Sequence, residues 1–302
     1  FTTGEDPADG GGVAQAYAGI ERIGSGSAAE AFLWGGRRYY RRRDVHMNDW
    51  YYEDFSGDGI GLENLVLGQS RLSTVLFYNV DEDLGDYRTA AIDVRLHDVD
   101  AGNGWMGELG VAWVDGQGDD FTGEDGYSIR FHLENADLPW GEWKNTLQYG
   151  VGAGMDINSK GARTADRDDN RLRLVSHGLV VTNDNFETQF LAAWERTDFG
   201  GETSHWATAG VRPHYNFNED WGVALEAGFD WVDPSNGDSN SLTKVTLAPF
   251  YSFGQKGSYA RPQLRAFVTW AEWSEEGAIT EQAAMGSATN GTTVGLQLEQ
   301  WW

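Results

Sequence analysis

The sequence predicts an all-β fold, an antiparallel transmembrane β-barrel, on three observations. Apolar and polar residues alternate with a period of two in many segments, and no helical period of apolar residues persists. No apolar run approaches the ~18 residues that a membrane-spanning helix needs. Short connections and long connections alternate between these segments along the chain. The chain is therefore expected to form one domain, residues 1–302, without a linker.

We interpret the alternating segments as about fifteen strands, each centred on a residue of its alternating stretch. The centres lie near Ala18, Leu33, Leu65, Val75, Ile92, Leu109, Ile129, Leu147, Leu174, Leu191, Gly210, Leu225, Thr246, Phe267 and Leu296.

One strand, Trp221 to Trp231, shows what the alternation implies. One side carries Trp, Val, Leu, Ala, Phe and Trp, and the other carries Gly, Ala, Glu, Gly and Asp. Ten steps of ~3.3 Å, tilted by ~40°, separate the two indoles by ~25 Å, the height of the apolar band of a membrane barrel. A half-buried strand of a soluble β-sandwich is the alternative for one such segment. The repeat of the arrangement in Trp105 to Trp113 favours the barrel.

The lengths of the connections also favour a membrane barrel. Short connections include 68–70, 182–185 and 216–220, and long polar ones include 41–59, 156–170, 233–241 and 274–291. Short periplasmic turns that alternate with longer outer loops are typical of outer-membrane barrels. A soluble sandwich gives no reason for such alternation.

An odd number of strands conflicts with the even number of bacterial single-chain barrels, whose two ends both lie in the periplasm. Tracing the connections back from the C-terminus places Phe1 on the extracellular side. We therefore expect N-terminal strands to be absent from this sequence. Phe1 at the short-turn end of a closed barrel would contradict this hypothesis.

Composition limits the partners of the chain. The 22 basic and 47 acidic residues give a formal net charge of −25, which disfavours nucleic acid. There is no cysteine, so neither a disulfide nor a thiolate metal site is available. Forty glycines with 14 Trp, 12 Tyr and 14 Phe fit short strands with tight turns and aromatic girdles.

The segment Arg37 to Tyr52 carries the densest chemistry. It follows a strand and contains five arginines, two acids, a histidine and five aromatics. Guanidinium forks and carboxylates pair with sugar hydroxyls, and aromatic faces cover the apolar faces of pyranose rings. A solvated charged loop, or phosphate binding by Arg42 and Arg43, remains open as an alternative.

Two tryptophans lie on polar faces, where packing gives no reason for an indole. Trp301 shares its face with Thr293, Gln297 and Glu299, whereas Trp302 ends the apolar face. Trp273 shares its face with three polar residues and is expected to point towards the lumen; these are Gln263, Arg265 and Thr269.

Four stretches together resemble the maltoporin family. They are WGGRRYYRRRDVHMNDWYYEDFSGDGIGLEN (34–64), AGVRPHYNF (209–217), ARPQLRAFVTWAEW (260–273) and GLQLEQWW (295–302). The first stretch is similar to the segment that holds the inward-folded third loop of that family, and DVHM followed by Asn, Asp, Trp and Tyr-Tyr is specific. The similarity runs from about Ala14 onward.

The resemblance implies an eighteen-stranded barrel in the bacterial outer membrane, a homotrimer surrounded by lipid and lipopolysaccharide. Its implied function is facilitated diffusion of oligosaccharides along an aromatic slide flanked by polar tracks. By alignment, residues 41–59 form the inward-folded constriction loop. Trp273 and Trp301 match slide aromatics, and Tyr51 matches a tyrosine opposite the slide. Polar constriction positions are matched by Arg42, Asp44, His46 and Asp49.

The chain also departs from the family. A track arginine is replaced by Ala14, and a slide phenylalanine has no counterpart between Met155 and Asn170. These losses leave the identity of the sugar and the preferred chain length open.

A general diffusion porin and an enzyme are the two alternative functions. A general diffusion porin without a sugar site explains the barrel equally well, but not the tryptophans on the lumen side. An enzyme is not expected, because no nucleophile lies beside His46 in the Asp44-x-His46 pattern. We expect no cofactor, and only the acidic outer loops are a candidate for a divalent cation.

Overall fold

The computed structural model describes residues 15–81, 87–274 and 288–300. Over these residues most of the chain is strand, with two short 3-10 helices at Gly26–Ala28 and Gly152–Asp156. The strands are β1 (Ala16–Glu21), β2 (Phe32–Arg38), β3 (Arg42–Val45), β4 (Trp50–Asp54), β5 (Gly57–Leu67), β6 (Ser70–Asp81), β7 (Tyr87–Gly102), β8 (Trp105–Gln117), β9 (Gly126–Leu138), β10 (Gly141–Val151), β11 (Asn170–Asn183), β12 (Phe186–Phe199), β13 (Glu202–Asn216), β14 (Trp221–Asp233), β15 (Asn240–Tyr251), β16 (Gln263–Trp273) and β17 (Asn290–Glu299).

Fifteen of these strands form one antiparallel sheet, in which each strand pairs with the next strand of that sheet along the chain, so that β2 pairs with β5. The remaining two, β3 and β4, form a separate hairpin inside the connection between β2 and β5. Each of the fifteen predicted strand centres lies in a strand of the large sheet. The predicted all-β fold is confirmed, and the hairpin is an addition that the sequence did not predict.

The two faces of the sheet are inverted relative to those of a soluble protein. On the inward face, Asp93, Arg95, Ser128 and Arg130 are completely buried. On the outward face, large apolar side chains such as Leu225 are exposed. A soluble sandwich buries its apolar face, so this arrangement fits a protein surrounded by lipid.

Strand β16 shows the predicted parity. Gln263 and Trp273 are buried on its inward face, whereas Leu264, Val268 and Trp270 are exposed on its outward face. The prediction that Trp273 points inward is therefore correct.

The lengths of the connections depart from strict alternation. Turns such as 103–104 and 139–140 mark one end of the sheet, which we call the short-turn end, and 152–169 lies at the opposite, long-connection end. Yet the connections 22–31 and 252–262 at the short-turn end are long, and 200–201 at the opposite end is short. The connection 252–262 folds inward and buries Ser258, Ala260 and Arg261.

The sheet has two edge strands, β1 and β17, and no pairing joins them over the described residues. Phe1, on which the hypothesis of missing strands depends, lies outside the described residues. That hypothesis and the extent of the domain stay predictions. Within the described part of the chain, no helix is long and apolar enough to cross a membrane.

Candidate functional site

The segment 41–59 lies against the inward face of the sheet as a hairpin. Arg42 pairs with Asp54, and Val45 pairs with Trp50, so that residues 46–49 form its tip. The chain returns to the sheet at Gly57, whose φ of +155° brings its backbone against Asn79. A side chain at that position would collide with the Asn79 Oδ1 atom, so glycine is required there.

One face of the hairpin, which we call the anchored face, consists of Arg43, Tyr52, Glu53 and Phe55. Glu53 is its most deeply enclosed charge. The Glu53 carboxylate lies 2.6 Å from Nη1 of Arg95 and 2.9 Å from Nε2 of His132. These two partners belong to β7 and β9, so a single loop side chain ties together two strands.

Further groups complete this buried cluster. The Gln148 amide donates to Glu53 Oε2 at 3.1 Å, and Asp93 bridges Arg95, at 2.6 Å, and Arg130. Burial by itself would raise the pKa of Glu53, but the positive charge of Arg95 and the hydrogen bond with His132 outweigh burial and hold that pKa well below its usual value. Glu53 is therefore ionised and held in one geometry.

The remaining residues of the anchored face bind the neighbouring strands. Arg43 forms ion pairs with Glu108 at 3.1 Å and Glu134 at 3.3 Å. The Arg130 guanidinium lies over the Phe55 ring, with its Cζ atom 4.2 Å from the ring centroid. The Tyr52 hydroxyl contacts His177 Nε2 at 3.3 Å, and burial raises the pKa of Tyr52 to about 12, so it stays protonated.

Apolar packing and a second connection hold the rest of the hairpin. Val45, Met47 and Tyr52 form a buried cluster with residues of β11 and β12, and Trp50 meets Trp206 edge-on with 5.1 Å between centroids. From the long-connection end, Ser159 donates its hydroxyl to the carbonyl oxygen of Ser56 at 2.5 Å. The hairpin is therefore enclosed from several sides.

The opposite face, which we call the open face, consists of Tyr39, Arg42 and Tyr51. The Arg42 guanidinium lies between the two tyrosine rings, 4.2 Å from each centroid. Asp54 fixes Arg42 through a contact of 3.2 Å to its Nε atom. Tyr39 and Tyr51 are 45% and 43% exposed, so each offers ring surface to a ligand.

The predicted polar positions separate into two groups. Arg42 and Tyr51 meet on the open face. Asp44 and His46 line a cavity on another side of the hairpin, and Asp49 is exposed at the tip. The structure therefore does not gather all five predicted loop residues into one site.

The two predicted slide tryptophans have different outcomes. Trp273 points inward, but only 3% of its surface is exposed, so its ring offers little area to a ligand in this arrangement. Trp301 lies outside the described residues. Their role in binding stays a prediction.

Sequence reasoning missed the buried charge cluster. Its signal was present in β7, where Asp93, Arg95 and His97 alternate with Ile92, Val94 and Leu96. Charged residues at every second position of a strand with an apolar opposite face indicate a polar interior that has partners for them.

Over residues 15–81, 87–274 and 288–300, no group of three or more His, Cys, Asp or Glu side chains is arranged to hold a metal ion. Residues 275–287 of an acidic outer connection fall outside these ranges, and the cation stays a prediction.

Comparison with known proteins gives two findings. The family model described as LamB porin matches residues 2–302. Among solved structures, the chain is similar to that titled "Crystal structure of Acinetobacter baumannii OccAB4", with 12% identity and a TM-score of 0.30 over 81% of this chain and 80% of that chain.

Proposed function

The chain belongs to the LamB porin family, and from that premise we propose that this outer-membrane porin passes oligosaccharides of the maltodextrin type by facilitated diffusion. Its place is the bacterial outer membrane, and it is a channel. The specificity for sugars and the assembly as a homotrimer among lipid and lipopolysaccharide belong to the proposal.

The observation that carries the proposal is the stack of Tyr39, Arg42 and Tyr51 on the open face. A pyranose ring has apolar faces that pack on aromatic rings and hydroxyls at its edge that pair with charged groups. The stack offers both within one surface. The phosphate alternative is weaker for Arg43, because Glu108 and Glu134 already neutralise its charge.

The passage follows from the position of the hairpin. The anchored face is bound to side chains of β7 to β11, and we place the path of the solute in front of the open face. A channel must release what it binds, and one small stacking surface gives weak binding that permits release. Trp273 and Trp301 would extend this surface if the ring of Trp273 becomes accessible during passage.

The burial of Trp273 favours a second candidate, a general diffusion porin without a continuous aromatic slide. Such a channel would use the hairpin only to narrow the passage. The two functions differ in whether sugar interrupts the ion current.

Ion current through single channels in a planar bilayer tests the proposal. Maltohexaose should block the current in a concentration-dependent manner, and absence of block would favour the general porin. Tyr51→Ala removes one wall of the stack and should weaken the block about 3- to 10-fold, the range of one aromatic contact.

Tyr78→Ala is the matched control. Tyr78 is 48% exposed, close to Tyr51, but it lies on the outward face of β6. It should leave the block unchanged. Trp273→Ala tests the slide in the same assay, and an unchanged block would remove Trp273 from the site.

A further inference from the structure

A groove with a volume of about 430 Å³, which we call the outer groove, crosses the outward face of the sheet between β9 and β12. It lies on the face opposite to the hairpin, among exposed apolar side chains. One wall is a row of large apolar residues that pair in register across the four strands: Phe131, Leu147, Leu174 and Trp194.

The floor of the outer groove is the next outward row, two residues along each strand. Here the side chains are small or polar: Asn145, Ser176 and Ala192 pair in register. Because successive outward residues of a strand are ~6.6 Å apart, the floor is one side chain wide. Trp143 and Phe190 lie beyond it, and their rings meet edge-on with 6.4 Å between centroids. The floor is therefore a trough between two rows of bulky side chains.

Hydrogen bonds connect the polar side chains of the floor. The Trp143 indole donates from Nε1 to Oγ of Ser176 at 2.8 Å, and the Ser176 hydroxyl donates to Oδ1 of Asn145 at 2.9 Å. The side-chain oxygen of Asn145 thus has a donor, but neither N–H of its amide has an acceptor among the described residues. On a surface that meets hydrocarbon, an unpaired N–H is costly. The amide is therefore available to an oxygen acceptor from a molecule in the membrane.

The position of Asn145 along its strand sets the depth at which that acceptor lies. Asn145 is near the start of β10, which follows the short turn 139–140. Short turns face the periplasm in outer-membrane barrels, and interfacial tryptophans lie at the level of the headgroups. Trp143 is one outward position closer to the turn, so Asn145 lies ~5 Å deeper than that level in a strand tilted by ~40°. At this depth a phospholipid carries the esters that join its acyl chains to the headgroup.

The groove continues from this depth towards the middle of the membrane. Ser176, the next floor residue, is at the middle of β11 (Asn170–Asn183). None of the described side chains that line the groove is charged. A ligand is therefore recognised by a hydrocarbon chain and an oxygen acceptor at one end of that chain, and not by a charge.

We propose that the outer groove binds one acyl chain of a glycerophospholipid of the periplasmic leaflet, whose ester carbonyl oxygen accepts a hydrogen bond from the Asn145 amide. The chain lies on the floor over Ser176 and Ala192, against the wall that includes Leu147 and Leu174. The site is outside the barrel and is independent of the sugar path.

Native mass spectrometry of the detergent-solubilised protein with added phospholipid tests the proposal. The probes are a diester phosphatidylethanolamine and its diether analogue, which has the same chains and headgroup but no carbonyl oxygen. The wild type should bind the diester about 3- to 10-fold more tightly, the range of one neutral hydrogen bond. Asn145→Leu keeps the size of the side chain and removes the donor, so it should bind the two lipids equally.

Ala192→Phe tests the groove itself, because it places a ring on the floor where the chain would lie. It should weaken binding of the diester about tenfold or more, the effect of losing the burial of two methylene groups. Ala266→Phe is the matched control. Ala266 is also exposed on the outward face, but it belongs to β16 and does not line the groove. It should leave the affinity within twofold of the wild type.

Three outcomes would overturn the proposal. Equal affinity of the wild type for the diester and the diether would mean that Asn145 does not recognise the ester. Equal affinity of Ala192→Phe and the wild type for the diester would mean that the groove is not the site. A smaller oligomer in Ala192→Phe, with lipid affinity unchanged, would assign the groove to contact with a second copy of this chain. If Ala192→Phe does not fold, the ester and ether comparison in the wild type and Asn145→Leu still decides.

Discussion

The anchored and open faces of one hairpin differ in almost every physical respect. Glu53 and Phe55 on the anchored face are enclosed and bound by charges from several strands. Tyr39 and Tyr51 on the open face are nearly half exposed, and only Arg42 joins them. The anchored face of the hairpin is thus fixed by buried contacts, whereas the open face remains accessible to a ligand. The two faces lie on opposite sides of the same short hairpin.

The difference has a simple physical basis. A buried charge is costly unless it is paired, so the cluster around Glu53 tolerates few alternative positions of the loop. Exposed stacking contacts are weak, and water competes for the same groups. Binding on the open face can therefore change without movement of the hairpin, and three experiments test this separation.

The largest effect is expected from Glu53→Gln. The substitution keeps the shape of the side chain and removes the negative charge that compensates the buried guanidinium of Arg95, 2.6 Å away. Loss of one partner of a buried ion pair typically costs 3–5 kcal/mol, so we expect the free energy of unfolding to fall by ~3–5 kcal/mol. Urea unfolding in detergent micelles, followed by tryptophan fluorescence, measures it.

The matched control for that experiment is Asp58→Asn. Asp58 pairs with Arg37 at 2.8 Å, but both side chains are about half exposed. Its loss should cost less than ~1 kcal/mol. If the two variants unfold alike, the anchored face is not held by its buried charges.

Arg42→Ala should weaken sugar block but leave stability almost unchanged. The ion pair of Arg42 with Asp54 is partly exposed, so its loss should change the free energy of unfolding by less than ~1 kcal/mol. Sugar block should weaken, because the guanidinium between the tyrosines is gone. Arg43→Ala, at the next position but paired with buried Glu108, should lose stability instead. Equal losses of stability in both variants would mean that the two faces are not separate.

The smallest expected effect is on the pH dependence of the free energy of unfolding, through His46 at the tip of the hairpin. Burial and the nearby positive charge of Arg261 lower the pKa of His46, against opposing contributions from Glu299 and Asp44. Below pH ~6.5 His46 is protonated in the unfolded chain but remains neutral in the folded protein down to a lower pH. The free energy of unfolding should therefore fall as the pH drops below ~6.5. His46→Gln should make this part of the profile less steep when unfolding is measured between pH 7.5 and 5. Parallel profiles for the variant and the wild type would contradict the assignment.

Strand positions could be predicted because each strand of the large sheet carries its own period of two. Leu225 and Phe267, for example, are each centred in an alternating segment that needs no distant residue to be recognised. The hairpin escaped prediction because Arg42 to Val45 has no apolar alternation and is stabilised by strands far along the chain.

The site was only partly predictable. Arg42 and Tyr51 were found by resemblance, and the structure brings them together. Glu53 was missed because a carboxylate in an aromatic segment carries no sign of its distant partners. The inward fold of the connection 252–262 was missed because Gly254, Gly257 and Ser258 are residue types typical of an ordinary turn.

The long sequence separation between the hairpin and its partners has a consequence for how the molecule is made. The carbonyl oxygen of Met47 is held by Arg212, and His46 contacts Arg261, more than two hundred residues later. These two anchoring groups, unlike Arg95 and Glu108, lie far from the hairpin along the chain. Docking of the hairpin thus depends in part on contacts of high sequence separation, which are formed slowly because a long stretch of chain must first be closed into a loop.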